Sequence, residues 1–155
     1  MRFLTNSVAE TQALGSRLAA QLEPGDVLLL LGDMGAGKSE LTRGIARGLG
    51  VKGYVTSPTF TILQVHEDGR MPLYHFDWYR LSDAEELYEL SMDEYLYGDG
   101  VSVIEWPSRA EEVIPESYLQ VELIPLGDEE RAVELTPVGD FHPINEAALL
   151  PEGEA

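Results

Sequence analysis

Eight residues, Gly32-Asp33-Met34-Gly35-Ala36-Gly37-Lys38-Ser39, match the phosphate-loop pattern G-x-x-x-x-G-K-[ST] at every fixed position. The pattern constrains the fold because it works only between a strand and a helix. Ahead of it, Leu28 to Leu31 form an apolar run of the buried-strand kind; behind it, Leu41, Ile45 and Leu49 recur at helical spacing. Glycines let the backbone curl so that successive N–H groups point inward at a phosphate. A helix that begins inside the motif turns its unpaired N–H groups and positive dipole end on the same anion. Lys38 is placed to reach the β- and γ-phosphates, and the Ser39 hydroxyl to ligate Mg²⁺. A glycine-rich turn can spell this pattern by coincidence. The flanking strand and helix argue against that, and so does composition: of only two lysines in the chain, one stands at the motif's lysine position. The stretch reads as a nucleotide-binding site.

The 155 residues suit one domain, and an apolar content of 44% with 25% charged residues excludes a globally disordered chain. No cysteine is present, which excludes disulfides and cysteine-based zinc sites. No stretch reads as a signal peptide or as a membrane span, so the cytoplasm is the expected compartment. The net charge of −18 disfavours direct binding of nucleic acid. It also means that ATP approaches against the field of the protein, which favours a metal-dependent site.

In chain order, Ser7-Val8-Ala9-Glu10 is a capping box, and Leu14, Leu18 and Leu22 follow on one helical face, ended by Pro24-Gly25. After the loop's helix, capped by Gly50, Val51 to Val55 suggest a short strand. Residues 61–66 and Leu73 to Asp77 flank the turn signal Glu67-Asp68-Gly69-Arg70 and predict a β-hairpin. Ser82 to Glu85 is a second capping box, for a helix to about Leu90, with a short helical piece over Met92 to Tyr97. Val101 to Glu105 is a strand that ends on a carboxylate. Ser108 to Glu111 is a third capping box, whose helix must stop before Pro115. Tyr118 to Ile124 and Arg131 to Leu135 flank Gly127-Asp128 as a last hairpin. This order predicts one domain over residues 1–137, an α/β three-layer sandwich of the P-loop NTPase type. Its sheet is mixed, with central parallel strands and antiparallel hairpins. Residues 138–155, rich in Pro, Gly and acids, read as a poorly ordered tail.

Phosphoryl chemistry needs an acid near Mg²⁺ and a group that orients the attacking oxygen. Two carboxylates end apolar strands, Asp77 and Glu105. Glu105 has the stronger claim on the metal, since its strand is the more central, and Asp77 is a candidate for positioning water. Thr59, in Ser57-Pro58-Thr59-Phe60, falls where nucleotide-sensing switch segments lie, although spacing alone reads as a simple turn. His66 and His75 stand on opposite hairpin arms and read as a structural pair. Trp106 suits either a cover over the site or core filling.

Taken together these segments closely resemble the TsaE (YjeE) family of bacterial P-loop ATPases. The resemblance rests on Gly32 to Ser39, on Ser57 to Phe60, on Tyr74-His75-Phe76-Asp77-Trp78-Tyr79-Arg80-Leu81 and on Ile104-Glu105-Trp106-Pro107, in that order. It implies an ATPase subunit that works with the proteins TsaB and TsaD in making threonylcarbamoyladenosine in tRNA, with tRNA met only through the complex. It implies that the loop residues Met34, Gly35, Ala36, Gly37, Lys38, Ser39 and Glu40, with Trp106, hold ATP. Ser39 and Glu105 would bind Mg²⁺, and Lys38, Asp77 and Thr59 would serve hydrolysis. Two positions depart from the family: Ser39 stands where threonine is usual, keeping the hydroxyl, and Glu40 adds a negative charge beside the phosphates.

Two other classes compete. A small-molecule kinase needs arginines that clamp the transferred group. The eight arginines are scattered, with Arg43, Arg47, Arg80 and Arg109 the plausible candidates. A GTPase is disfavoured because no Asn-Lys-x-Asp segment exists. The non-enzymatic alternative is a docking subunit controlled by its nucleotide state. The acids between Ser82 and Tyr97 would suit a basic partner face.

Overall fold

Strands that are apolar on both faces belong inside a sheet, and they set the topology here. In the computed structural model, which describes residues 1–53, 55, 62–89 and 91–151, the chain begins with β1 (Arg2–Thr5), α1 (Val8–Ala19), β2 (Val27–Leu31) and α2 (Lys38–Gly48). It continues through β3 (Leu63–His66), β4 (Leu73–Asp77), α3 (Glu85–Glu89), α4 (Met92–Leu96) and β5 (Val101–Glu105). A 3-10 helix over Pro107–Val113 leads to β6 (Tyr118–Pro125) and β7 (Arg131–Val138). One seven-stranded sheet has the order β1-β7-β6-β2-β5-β4-β3. Its inner four strands, β6, β2, β5 and β4, run parallel, and β1, β7 and β3 join antiparallel.

Side chains alternate between two cores. Leu28, Leu30, Val101 and Val103 face α1 and α2, beside Leu14, Leu18, Leu41 and Ile45. Val27, Leu29 and Ile104 face α3, α4 and the 3-10 helix, beside Leu87, Met92 and Ala110. The three-layer α/β sandwich with a mixed sheet is therefore the fold of this chain. Among the described residues no helix is long and apolar enough to cross a membrane.

Several expectations need correction. Residues 51–53 and 55 form no strand, and residues 56–61 lie outside the described residues. β1 escaped the sequence reading because a four-residue edge strand takes its conformation from pairing with β7. The third capping box does not start an α-helix. Pro107 opens a 3-10 turn there, after Trp106 in a left-handed conformation (φ 59°, ψ 50°). At the second box the cap is Asp83, whose carboxylate accepts the N–H of Glu85 at 2.8 Å. The first box holds, with Ser7 Oγ accepting from Glu10 N–H at 3.1 Å.

The tail also departs from expectation. Residues 139–151 run back along α1 in place of hanging free. Leu149 is fully buried in the core under α1, and its carbonyl accepts from Arg17 Nε at 2.7 Å. Asn145 exchanges two hydrogen bonds with Gln21, at 3.0 and 2.7 Å. His142 Nε2 lies 2.7 Å from Asp26 Oδ2 and 3.1 Å from Glu23 Oε2. The physical reason is burial: Phe141, Ile144, Leu149 and Leu150 give this acidic segment apolar surface that packs on the core.

α1 and α2 touch backbone to backbone. A Cβ added at Gly44 would stand 2.0 Å from the carbonyl oxygen of Gln12. Gly44→Ala is expected to destabilise the fold by about 2 kcal/mol, because the two helices must separate; chemical denaturation with unchanged stability would contradict this contact. A second expectation concerns pH. Burial works against protonation of His142, but its hydrogen bonds to Asp26 and Pro143 and the charges of Asp26 and Glu23 raise its pKa above the ordinary 6.5. The tail's charged latch is therefore whole below the ordinary histidine value and is lost as pH rises through the raised one. His142→Gln should cost about 1 kcal/mol or less, with the larger loss near pH 5.5 and a smaller one near pH 9. An equal loss at both would remove charge from the latch.

Candidate functional site

Because β2 ends at Leu31, the phosphate loop leaves the carboxyl edge of the sheet and turns at once into α2. The turn needs Gly37, which caps α2 with a left-handed backbone (φ 103°). The first-turn N–H groups of α2, which begins at Lys38, have no acceptor within the helix and face outward from its start. Thr42 Oγ1 donates to the Lys38 carbonyl at 2.9 Å, tying the first turn together.

At the same edge, Asp77 and Glu105 are the last residues of β4 and β5 and are register partners. Both are 3% exposed. Asp77 Oδ1 accepts the N–H of Tyr79 at 2.9 Å. Glu105 Oε2 is 2.6 Å from His75 Nε2, which lies two residues along β4 on the same face and is fully buried. His75 therefore orients Glu105, while His66, whose register partner is Leu73, is its diagonal neighbour on the same face and near enough for the two rings to interact electrostatically.

A cleft of about 380 Å³ gathers Met34, Gly35, Gly37, Lys38, Ser39, Glu40, Asp77, Glu105 and Trp106. Of the proposed site residues in the described chain only Ala36 stays off its wall; it is fully buried behind the loop. Thr59 lies outside the described residues. Lys38 Nζ is 3.9 Å from the centroid of the Trp106 ring, a cation–π contact. Trp106 thus covers the lysine, resolving the two alternatives open in the sequence. Burial lowers the Lys38 pKa, while Glu105, Asp77 and Asp33 pull the other way. Trp106 is backed by Tyr79, at 4.9 Å between ring centroids.

Glu40 does not present a bare charge. Its carboxylate is held by Arg43 in an ion pair and accepts from Gln12 Nε2 at 2.6 Å. The arginine expectation needs correction too. Arg43, Arg47, Arg80 and Arg109 do not line the cleft, whereas Arg131 does, together with Val8, Thr11 and Glu129. Nothing in the spacing links Arg131 to a loop 95 residues earlier. For His75 a signal did exist: it stands two residues before Asp77, on the same strand face.

This arrangement can neutralise a polyphosphate with N–H dipoles and the cations of Lys38 and Arg131, offer hard oxygen ligands, and present an oriented carboxylate. Comparison with known proteins agrees in family. A family model described as "Threonylcarbamoyl adenosine biosynthesis protein TsaE" matches residues 5–133. The chain is 45% identical over 140 residues to the "tRNA threonylcarbamoyladenosine biosynthesis protein TsaE" of Bacillus subtilis, covering 90% of this chain and 87% of that protein. It is 40% identical over 133 residues to the protein so described from Treponema pallidum, covering 86% and 98%. The crystal structure of Bacillus subtilis YdiB matches with a TM-score of 0.78 at 41% identity, over 90% of this chain and 86% of that one.

Glu105→Gln keeps the shape and an oxygen that accepts from His75, but removes the charge. In calorimetry it should weaken nucleotide binding with Mg²⁺ about tenfold or more and leave metal-free binding nearly unchanged. Equal losses in both conditions would make Glu105 a structural residue.

Proposed function

The chain belongs to the TsaE family, and from that premise we propose that it is a Mg²⁺-dependent ATPase subunit for threonylcarbamoyladenosine modification of tRNA. On this reading it acts in the cytoplasm with TsaB and TsaD, and ATP binding and hydrolysis drive or reset the complex. One observation carries the proposal: the start of α2, Lys38 and Ser39 share a cleft with two buried carboxylates at adjacent strand ends. A docking subunit that only binds nucleotide needs the cradle; it has no need for Asp77 held beside it.

The roles follow from the chemistry of each group. The loop N–H groups and Lys38 bind the phosphates and offset charge that grows on the leaving side. Trp106 and the burial of Lys38 keep that cation from bulk water, which strengthens its pull on an anion. Asp77, fixed by the Tyr79 N–H, orients the attacking water. Ser39 and Glu105 are hard oxygen donors of the kind that Mg²⁺ takes, one or two from protein and the rest from phosphates and water. When bound, the ion supplies charge neutralisation across the phosphates. Thr59 is proposed as the switch residue. With a net charge of −18, tRNA is met through the partners and not by this chain alone.

Phosphate release from Mg²⁺-ATP, measured with the protein alone and with TsaB and TsaD, tests the proposal. Slow turnover alone and a clear rise with both partners are expected. Asp77→Ala should keep ATP binding and lose turnover about 100-fold or more. Transfer of phosphate to a small acceptor would indicate a kinase. Complex formation that needs nucleotide but shows no hydrolysis would indicate a docking subunit.

A further inference from the structure

We infer that Arg131 positions the phosphate-binding loop, acting as a strap that sets its peptide planes before any ligand arrives. The inference rests on the nucleotide-site reading above and adds a residue outside the loop motif.

Arg131 is the first residue of β7. A guanidinium has five N–H donors in a rigid fork, and here all five are used on main-chain carbonyls. Nε donates to Ala36 O at 2.8 Å and Nη2 to Gly35 O at 3.1 Å, both within the loop. The remaining donors hold the turn that precedes Arg131. Nη1 reaches Gly127 O at 2.9 Å and Glu130 O at 2.8 Å, and Nη2 reaches Asp128 O at 3.3 Å. That turn is fixed in its own right, since Glu129 Oε1 accepts the N–H of Val8, the first residue of α1, at 3.1 Å. One cation therefore links the loop to an anchored turn.

The geometry has a consequence for the cradle. In a trans peptide the C=O and the next N–H point opposite ways. With the carbonyls of Gly35 and Ala36 turned toward Arg131, the N–H groups of Ala36 and Gly37 are turned away from it. Ala36 N–H closes the turn onto Asp33 O at 3.0 Å, and Gly37 N–H lies just ahead of the first turn of α2. Arg131 thus holds two peptide planes of the loop, one that closes its turn onto Asp33 and one that leads into the start of α2. All five acceptors are neutral carbonyls, so the positive charge is not cancelled by its own contacts. It stands on the wall of the cleft, in a protein whose net charge is −18. Lysine cannot replace it, having three donors on a point charge and no fork.

The test uses the full chain carrying Arg131→Lys or, in parallel, Arg131→Gln, with Lys38→Ala as the control. Three quantities are read: ATP affinity by calorimetry, thermal unfolding, and hydrogen exchange of peptides spanning the loop. Arg131→Lys should weaken ATP binding about tenfold, and Arg131→Gln more. Exchange should quicken in the loop of the ligand-free protein, while the unfolding temperature and exchange elsewhere stay close to those of the parent. Affinity of Arg131→Lys equal to the parent would overturn the strap, since charge alone would suffice. Affinity loss that merely follows a general loss of stability would overturn it as well. If Lys38→Ala loses ATP binding while both Arg131 variants keep it, only the strap fails. If Lys38→Ala also binds ATP as the parent does, the nucleotide-site reading falls and the strap with it.

Discussion

Parallel pairing of β6, β2, β5 and β4 is the constraint on which the site depends. Strands that run the same way end on the same edge, so whatever follows them is brought together there. The loop follows β2, Asp77 ends β4, Glu105 ends β5, and the turn carrying Glu129 follows β6. The antiparallel return of β7 leaves Arg131 at that edge, opposite Thr5 of β1. The apolar strands that stabilise the sheet are thus the same elements that assemble a polar cleft. Hydrophobic burial on both faces sets the parallel order, and the parallel order sets the chemistry.

Charge is handled locally in a chain whose sum is strongly negative. Two carboxylates lie side by side at the strand ends, nearly buried, a placement that costs energy unless partners compensate. Tyr79 N–H serves Asp77, His75 serves Glu105, and Lys38 lies within the field of both. Glu40, which reads in sequence as a repulsive neighbour of the phosphates, is instead engaged by Arg43 and Gln12 across the α1–α2 interface. Around the cleft the groups not spent on carboxylates are the N–H groups of α2 and the guanidinium of Arg131. The cleft wall thus sets two cations, Lys38 and Arg131, among the carboxylates of Glu40, Asp77, Glu105 and Glu129.

Close approach of helices supports the same site from behind. α2 carries the loop's helix start, and its position over the sheet is set by α1 through Gly15, Gly44 and Gly48, where added Cβ atoms would strike backbone or the neighbouring helix. α1 in turn is covered along its length by the tail, through Arg17, Gln21 and Leu149. The tail is acidic and looks unstructured in composition, yet a few spaced apolar residues are enough to dock it once a hydrophobic helix face is available. Composition averages over a segment, whereas docking depends on which residues share a face.

The sequence by itself determined the loop, its flanking strand and helix, the hairpins, and the two strand-end carboxylates. These are local signals, carried by spacing within a strand, a turn or a helical repeat, and the three-layer α/β architecture followed from their order. Only the tertiary structure decided what meets across the chain. It set His75 against Glu105, laid Trp106 over Lys38, drew Glu40 to Arg43 and Gln12, and brought Arg131 to the loop. It also paired β1 with β7 and folded the tail onto α1. Those contacts join residues far apart in the chain, and their partners are chosen by strand order and packing, which no local pattern encodes.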